Sequence, residues 1–204
     1  MSSRPVHAVV LAAGAGRRLG YPKAALRLRG QWMLPVLVQS LRSGGADRVV
    51  LVLADQALDA IADLGSPEAD REVVNRQPEN GRTGSLQCAL EVIPEDAALL
   101  VHPCDMPLIQ ADSIRAVIRA WRTQGEPDHA CIRPISAGRR GGHPLLLGPG
   151  WRDELRNSGP DRPLRELLRH PDARLIDVPC SDPGAFLDVD TPDQLRLVED
   201  LLPE

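Results

Sequence analysis

Residues 11–23 read LAAGAGRRLGYPK, a run that combines Gly14, Gly16 and Gly20 with Arg17, Arg18 and a lysine, Lys23, behind Pro22. It follows the apolar segment Val6–Leu11 directly. A strand that opens into a glycine-rich basic loop can bring backbone close to phosphates. Glycine tolerates positive φ and carries no Cβ, so successive N–H groups can face one concavity. Arginine adds a forked donor that matches phosphate oxygens, and lysine adds a compact point charge. Two standard phosphate motifs are excluded. A P-loop needs G-x-x-x-x-G-K-S/T, whereas Lys23 follows Pro22 and precedes Ala24. The dinucleotide fingerprint needs G-x-G-x-x-G, and here the spacing is G-x-G-x-x-x-G. A tight turn with incidental charge is the bland alternative, and three glycines together with Arg18 and Lys23 speak against it.

Two carboxylate sets stand out further along. Asp105 follows the apolar run 97–104 and precedes Met106-Pro107. In open α/β sheets ligands bind outside the carboxyl ends of strands, and Mg²⁺ is commonly shared between such a carboxylate and substrate phosphates. The alternative is an Asp that simply opens a turn before Pro107. Asp188-Val189-Asp190 precedes Thr191-Pro192, and alternation in extended chain puts both carboxylates on one face. Helix-start electrostatics are the competing explanation there. In Asn80-Gly81-Arg82-Thr83-Gly84-Ser85-Leu86 the glycines permit close approach, and Ser85 is a candidate helix cap. Arg139-Arg140-Gly141-Gly142-His143-Pro144 suits an anionic ligand or, alternatively, a hairpin tip with solvated charges. His143 is a proton carrier by type.

These motifs together resemble the molybdenum cofactor nucleotidyltransferases, within the GT-A-like nucleotidyltransferases. The pattern L-A-A/G-G-x-G/S-x-R-M/L-G-x-P/D-K is met from Leu11 to Lys23, and D-x-P is met at Asp105. The family's acidic-x-acidic-T-P run is similar to 188–192, its G-x-x-x-S-L element to 81–86 and its R-G-H-P segment to 140–144. The resemblance implies a nucleoside triphosphate held by Leu11, Ala12, Ala13, Gly14, Gly16, Asn80, Gly81 and Ser85, with Arg18 and Lys23 as catalytic cations. It implies Mg²⁺, with Mn²⁺ as the alternative, on Asp105 and Asp190. The second substrate, a molybdopterin-type cofactor, would meet Arg140, Gly142, His143, Pro144 and Asp188. The Leu11-Ala12-Ala13-Gly14 variant and the His143-Pro144 segment favour CTP over GTP, because the Ala13 methyl can crowd a purine. A sugar-phosphate acceptor, GTP, and a non-catalytic cofactor-binding maturation protein are the other readings. A recipient molybdoenzyme is a further implied partner. Around Gly159–Leu164 the sequence departs from the family's G-D-x-G-A-R, with Arg162, Pro163 and Leu164 in place of small residues.

These residues need a scaffold. Short apolar runs alternate with helix-like segments over the 204 residues, which predicts one α/β domain (1–204) with a mostly parallel, Rossmann-like sheet flanked by helices. Strands are expected at 6–11, 48–53, 72–75, 97–104, 129–134, 144–147 and 174–178. Helices are expected at 33–43, 56–64, 85–93, 112–124 with Asp112 as cap, 151–157, 163–169, and 192–202 behind a Thr191/Gln194 capping box. Aromatics are 2% of the chain and the net charge is −4, which argues against a nucleic-acid binder. Local basic loops in an acidic chain suit a small anionic ligand. No apolar run is long enough for a membrane span. The four scattered cysteines read as reduced thiols of a cytoplasmic protein, with a zinc site the weaker alternative.

Overall fold

The computed structural model describes residues 3–159 and 163–200. Its strands are β1 (Val6–Ala12), β2 (Arg27–Leu28), β3 (Gln31–Trp32), β4 (Arg48–Leu53), β5 (Arg71–Val74), β6 (Ala98–Pro103), β7 (Ala130–Ile135), β8 (Leu145–Leu147) and β9 (Arg174–Pro179). The helices are α1 (Met33–Ser43), α2 (Asp55–Ile61), α3 (Gly81–Leu90), α4 (Ala111–Thr123), α5 (Arg152–Asn157) and α6 (Pro192–Asp200). Seven strands form one sheet in the order β5-β4-β1-β6-β8-β7-β9, and β2 and β3 make a separate small hairpin. Within the sheet β8 alone runs against its neighbours. The mostly parallel α/β sheet is therefore the one its sequence predicts.

Strand β1 shows why both faces must be covered. Val6, Ala8, Val10 and Ala12 point into one apolar cluster with α1, α2 and α4, while Val9 and Leu11 point into a second with α3 and α5. Strands buried on both faces read as continuous apolar runs, as β1 and β6 do. The first cluster is sealed by α4, whose Ile114, Val117, Ile118 and Trp121 lie on one face at helical spacing and are fully buried or nearly so. A third, smaller cluster joins Leu19 of the basic loop to Leu26 and Leu28 of the hairpin region and to Val189 and Val198 beside and within α6.

Several predicted boundaries and caps differ, most by one to three residues. Helix α3 starts at Gly81 and not at Ser85. The G-R-T-G stretch has low helix propensity, but burial of Thr83, Gly84 and Leu86 outweighs it. Ser85 is thus inside the helix, where its Oγ donates to the Gly81 carbonyl and accepts from Asn75 Nδ2, and it is not a cap. Asp112 does not cap α4 either; it lies in the first turn and pairs with Arg115. The start of α4 is instead held by Asp182, 72 residues away, which accepts from the Gln110 N–H and the Ser113 hydroxyl. Helix α2 ends at Ile61, short of the predicted Leu64. At α6 the Gln194 N–H does donate to Thr191 Oγ1, but Gln194 Oε1 reaches back to the Asp190 N–H. The predicted end of that helix at Leu202, and residues 160–162 of the atypical 159–164 segment, lie outside the described residues.

The chain leaves β1 for β4 and β5 on one side and then returns to β6 on the other. That reversal makes a switch point between β1 and β6, where the loops from their carboxyl ends diverge. The Cys104 N–H donates to the Leu11 carbonyl there, which ties the two strand ends together. His102, fully buried in β6, fastens the next turn through its Nε2 and the Met106 carbonyl, 2.8 Å apart. Burial holds the His102 ring at about 4, against the opposing effect of that carbonyl. His143, whose ring stands perpendicular to it at 6.2 Å, is held at about 3 by burial and by the charges of His102 and Arg82. Both rings stay neutral in the fold but titrate near 6.5 once unfolded. The unfolded chain therefore takes up more protons below about pH 6.5, and stability falls as pH drops from there toward 4 and 3. The loss is roughly 1.4 kcal/mol per pH unit for each excess proton. Denaturant unfolding between pH 7 and 4.5 should show this decline, and His143→Asn should show a shallower one; an unchanged slope contradicts the assignment.

Candidate active site

The loop after β1 is shaped by Gly16, at φ +60°, whose carbonyl accepts from the Leu19 and Gly20 N–H groups. A Cβ at Gly16 would lie 1.8 Å from the Tyr21 carbonyl oxygen, so only glycine fits there. Burial of Leu19 turns its neighbour Arg18 outward, and the Lys23 N–H closes the loop on the Gly14 carbonyl. The turn after β6 carries Asp105, whose backbone carbonyl accepts from the Val189 N–H at 2.8 Å. That bond draws the segment before α6 alongside β6 and puts Asp190 next to Asp105.

Four of the predicted side chains thereby converge. Lys23 Nζ donates to both Asp105 Oδ2 and Asp190 Oδ1. Arg18 donates to Asp190 Oδ2 at 2.6 Å. The cluster runs from the interior to solvent: the Asp105 side chain is 8% exposed, Lys23 18% and Arg18 68%. Burial alone would lower the Lys23 ammonium, but hydrogen bonds and charge from Asp105 and Asp190 outweigh it and raise it. Burial would raise Asp190, and Lys23 and Arg18 overcome this and lower it. Lys23 and Asp190 are thus charged at neutral pH. Asp188, predicted to share a face with Asp190, does not reach Lys23.

Asp105 Oδ1 is buried and has no hydrogen-bond partner among the described residues. Two carboxylates that meet at one point, one with a spare buried oxygen, fit a hard divalent cation such as Mg²⁺ or Mn²⁺. Among the described residues no group of three or more His, Cys, Asp or Glu side chains could complete a protein-only site. Such a cation would complete its shell with phosphate oxygens and water, as Mg²⁺ in nucleotide sites does.

Two cavities open at this end of the sheet. The smaller, about 160 Å³, is lined by Leu11, Ala13, Gly14, Lys23, Gly81, Ser85 and Asp105, together with Pro78, Arg82, Pro103 and Cys104. The larger, about 420 Å³, has Arg82, Arg133, Arg165, Gly142 and His143 on its wall and Leu145, Leu164 and Leu168 as apolar lining. Gly81 and Arg82 line both, so the cavities are neighbours.

Most predicted nucleotide residues line the smaller cavity. Ala12 instead ends β1 in the core, Gly16 supports the loop, and Asn80 bonds to Gln77 behind Gly84. Of the residues predicted to meet the acceptor, Gly142 and His143 line the larger cavity, whereas Arg140, Pro144 and Asp188 do not. Arg140 is exposed on the 136–144 loop, where its N–H bonds Ser136 Oγ, and Pro144 is buried beneath it. His143, neutral and largely enclosed, is no proton carrier at neutral pH.

The arginines that do line the larger cavity went unassigned in the sequence. Arg133 is the one charged residue of the strand ACIRPI, at its carboxyl end, and that anomaly was the available signal. It is held by Asp177 of the adjacent β9, its Nε 2.8 Å from Oδ1. Its guanidinium lies over Gly141, where a Cβ would come within 2.6 Å of it. Arg82 sat inside the glycine-rich 80–86 segment without a role.

The signature of the MobA-like NTP transferase domain family covers residues 8–175. Nicotine blue oxidoreductase of Paenarthrobacter nicotinovorans is 30% identical over 194 residues, which is 93% of this chain and 94% of that protein. Rv0371c of Mycobacterium tuberculosis superposes with a TM-score of 0.80 at 24% identity, covering 98% of this chain and 100% of that one. The structure of Rv0371c in complex with manganese superposes with a TM-score of 0.78 at 22% identity, covering 98% of this chain and 100% of that one. Molybdopterin-guanine dinucleotide biosynthesis protein A of Archaeoglobus fulgidus gives 0.72 at 18% identity, covering 96% and 98% of the two chains. With the family's signature over most of its length and these carboxylates and cations gathered at the switch point, the chain belongs to the MobA-like NTP transferases and is a nucleotidyltransferase.

Proposed function

We propose that the protein transfers CMP from CTP to the terminal phosphate of molybdopterin or its molybdenum-loaded form, releasing pyrophosphate. The observation that carries this reading is the convergence of Lys23 and Arg18 with Asp105 and Asp190 beside a cavity that adjoins a second, arginine-lined one. An oxygen of the acceptor phosphate attacks the α-phosphorus, the bond from that phosphorus to the bridging oxygen breaks, and the electron pair leaves with pyrophosphate. Such chemistry needs positioning and charge neutralisation more than a protein nucleophile. Lys23 and Arg18 exchange their carboxylate partners for the triphosphate and offset the charge that grows on the leaving group. Asp105 and Asp190 would hold Mg²⁺ or Mn²⁺, which when bound neutralises phosphate charge and polarises the α-phosphoryl group. The larger cavity pairs arginines with leucines, which suits an acceptor with a phosphate at one end and an apolar ring system behind it. The family description and the sequence motifs support a molybdopterin-type acceptor. Ala13, whose methyl lines the smaller cavity, supports a pyrimidine base. The free cysteines fit a cytoplasmic setting, with a molybdoenzyme receiving the product.

The direct test is pyrophosphate release from CTP or GTP with Mg²⁺ and molybdopterin. Release with CTP is expected, and none above background with either nucleotide refutes the transfer. Lys23→Ala and Asp105→Ala should each lower the rate by about 1,000-fold or more, since each removes a charge matched to the transition state. Circular dichroism should stay native, and wild-type turnover by either variant refutes its assigned role. CTP with Mg²⁺ should raise the thermal midpoint more than GTP at equal concentration, because stabilisation follows affinity. Equal shifts would remove the base preference.

A further inference from the structure

We propose that Arg82 is a catalytic residue of this site, a guanidinium clamp that holds the nucleotide's α-phosphate against the acceptor's phosphate. The proposal rests on the transfer reading above and adds the residue that touches both substrates. Arg82 lines the smaller cavity with Lys23 and Asp105, and the larger with Arg133 and His143. Its positive charge is felt by the Cys104 thiol on one side and by the His143 ring on the other. The other cations nearest the reacting groups are paired in the resting structure, Lys23 and Arg18 with Asp105 and Asp190 and Arg133 with Asp177, and the first two are assigned to the triphosphate when it binds. Arg82 is exposed, and among the described residues it forms no ion pair with an acid.

Its backbone is nonetheless fixed. Gly81 takes φ +67° at the start of α3, and the next residues, Thr83 and Gly84, are buried. A guanidinium with no acidic partner among the described residues, on an anchored backbone at the junction of two cavities that both carry cationic side chains, is placed where two phosphates must approach each other in the proposed transfer. Their mutual repulsion opposes the attack, and the α-phosphoryl oxygens gain charge as the new P–O bond forms. One planar fork can donate to an oxygen of each phosphate at once, which a lysine cannot do with the same geometry. No proton needs to move through Arg82, which stays cationic throughout.

The test compares wild type with Arg82→Ala and Arg82→Lys in two measurements on the full chain. In the first, protein loaded with Mn²⁺ and the α,β-methylene analogue of CTP or GTP, whichever binds, is titrated calorimetrically with inorganic phosphate. The alanine variant should bind phosphate about tenfold or more weakly, and the lysine variant should fall between. In the second, transfer to molybdopterin is followed. Arg82→Ala should lose about 100-fold in kcat with KM for the nucleotide changed by less than about fivefold, and Arg82→Lys should recover part of the loss. Wild-type phosphate affinity or wild-type kcat in the alanine variant overturns the proposal, as does a loaded wild type that takes up no phosphate. If wild type binds phosphate in the loaded site but transfers nothing to molybdopterin, the acceptor assignment fails alone and the phosphate titration still decides the role of Arg82.

Discussion

Two carboxylates that share one site repel each other unless a cation stands between them, and the functional end of this molecule is organised around that constraint. Asp105 and Asp190 come from opposite parts of the sequence, and Lys23 neutralises both at one ammonium. Without it, one carboxylate would have to take up a proton or the two segments would separate. The three residues thus balance one another in the resting site. In the transfer proposed above, the charge that Lys23 balances in the free protein would pass to phosphate and metal, so the site would be neutralised before and after the substrate arrives.

The fold makes this meeting cheap in backbone terms. The switch point between β1 and β6 lets two loops diverge from adjacent strands, and the Cys104-to-Leu11 bond keeps their origins in register. The third segment is recruited by one main-chain bond, from Val189 to Asp105, and aimed by Gln194, whose side chain takes the Asp190 N–H. Strand β8 reverses the chain so that the 136–144 loop, which leaves β7 at its carboxyl end, lies at the same rim. The glycine-rich loop, the paired carboxylates and the arginine-lined cavity thus occupy one end of a sheet whose two faces are otherwise sealed by helices.

Much of this was legible in the sequence because it depends on local pattern. The apolar runs that became β1, β4 and β6 and the amphipathic spacing of α1 and α4 follow from burial on two faces or one. Lys23, Asp105 and Asp190 were legible because their residue types and neighbours suit only a few chemistries. What sequence could not reveal depends on partners far along the chain. Asp182 caps a helix 72 residues upstream, burial overrides the glycines of α3, and Leu19 anchors the basic loop in a cluster with α6. The arginines of the larger cavity were illegible for a similar reason. Arg140 sits in the recognisable motif yet stays on the exposed loop, while Arg133, one strand earlier, is aimed by its cross-strand neighbour Asp177.

Gly142 ties the wall of the larger cavity to the segment that carries Asp190. Its α-carbon lies against the Ala185 carbonyl and the Phe186 ring, where a Cβ would intrude to 2.3 and 2.6 Å, and the next residue's N–H donates to Ala185. Four residues beyond Ala185, Val189 is pinned to the Asp105 turn. One stretch of backbone, residues 185–190, therefore carries both ends of the rim: it receives Gly142 and His143 at Ala185 and Phe186, and it delivers Asp190 to Lys23 beside the Asp105 turn.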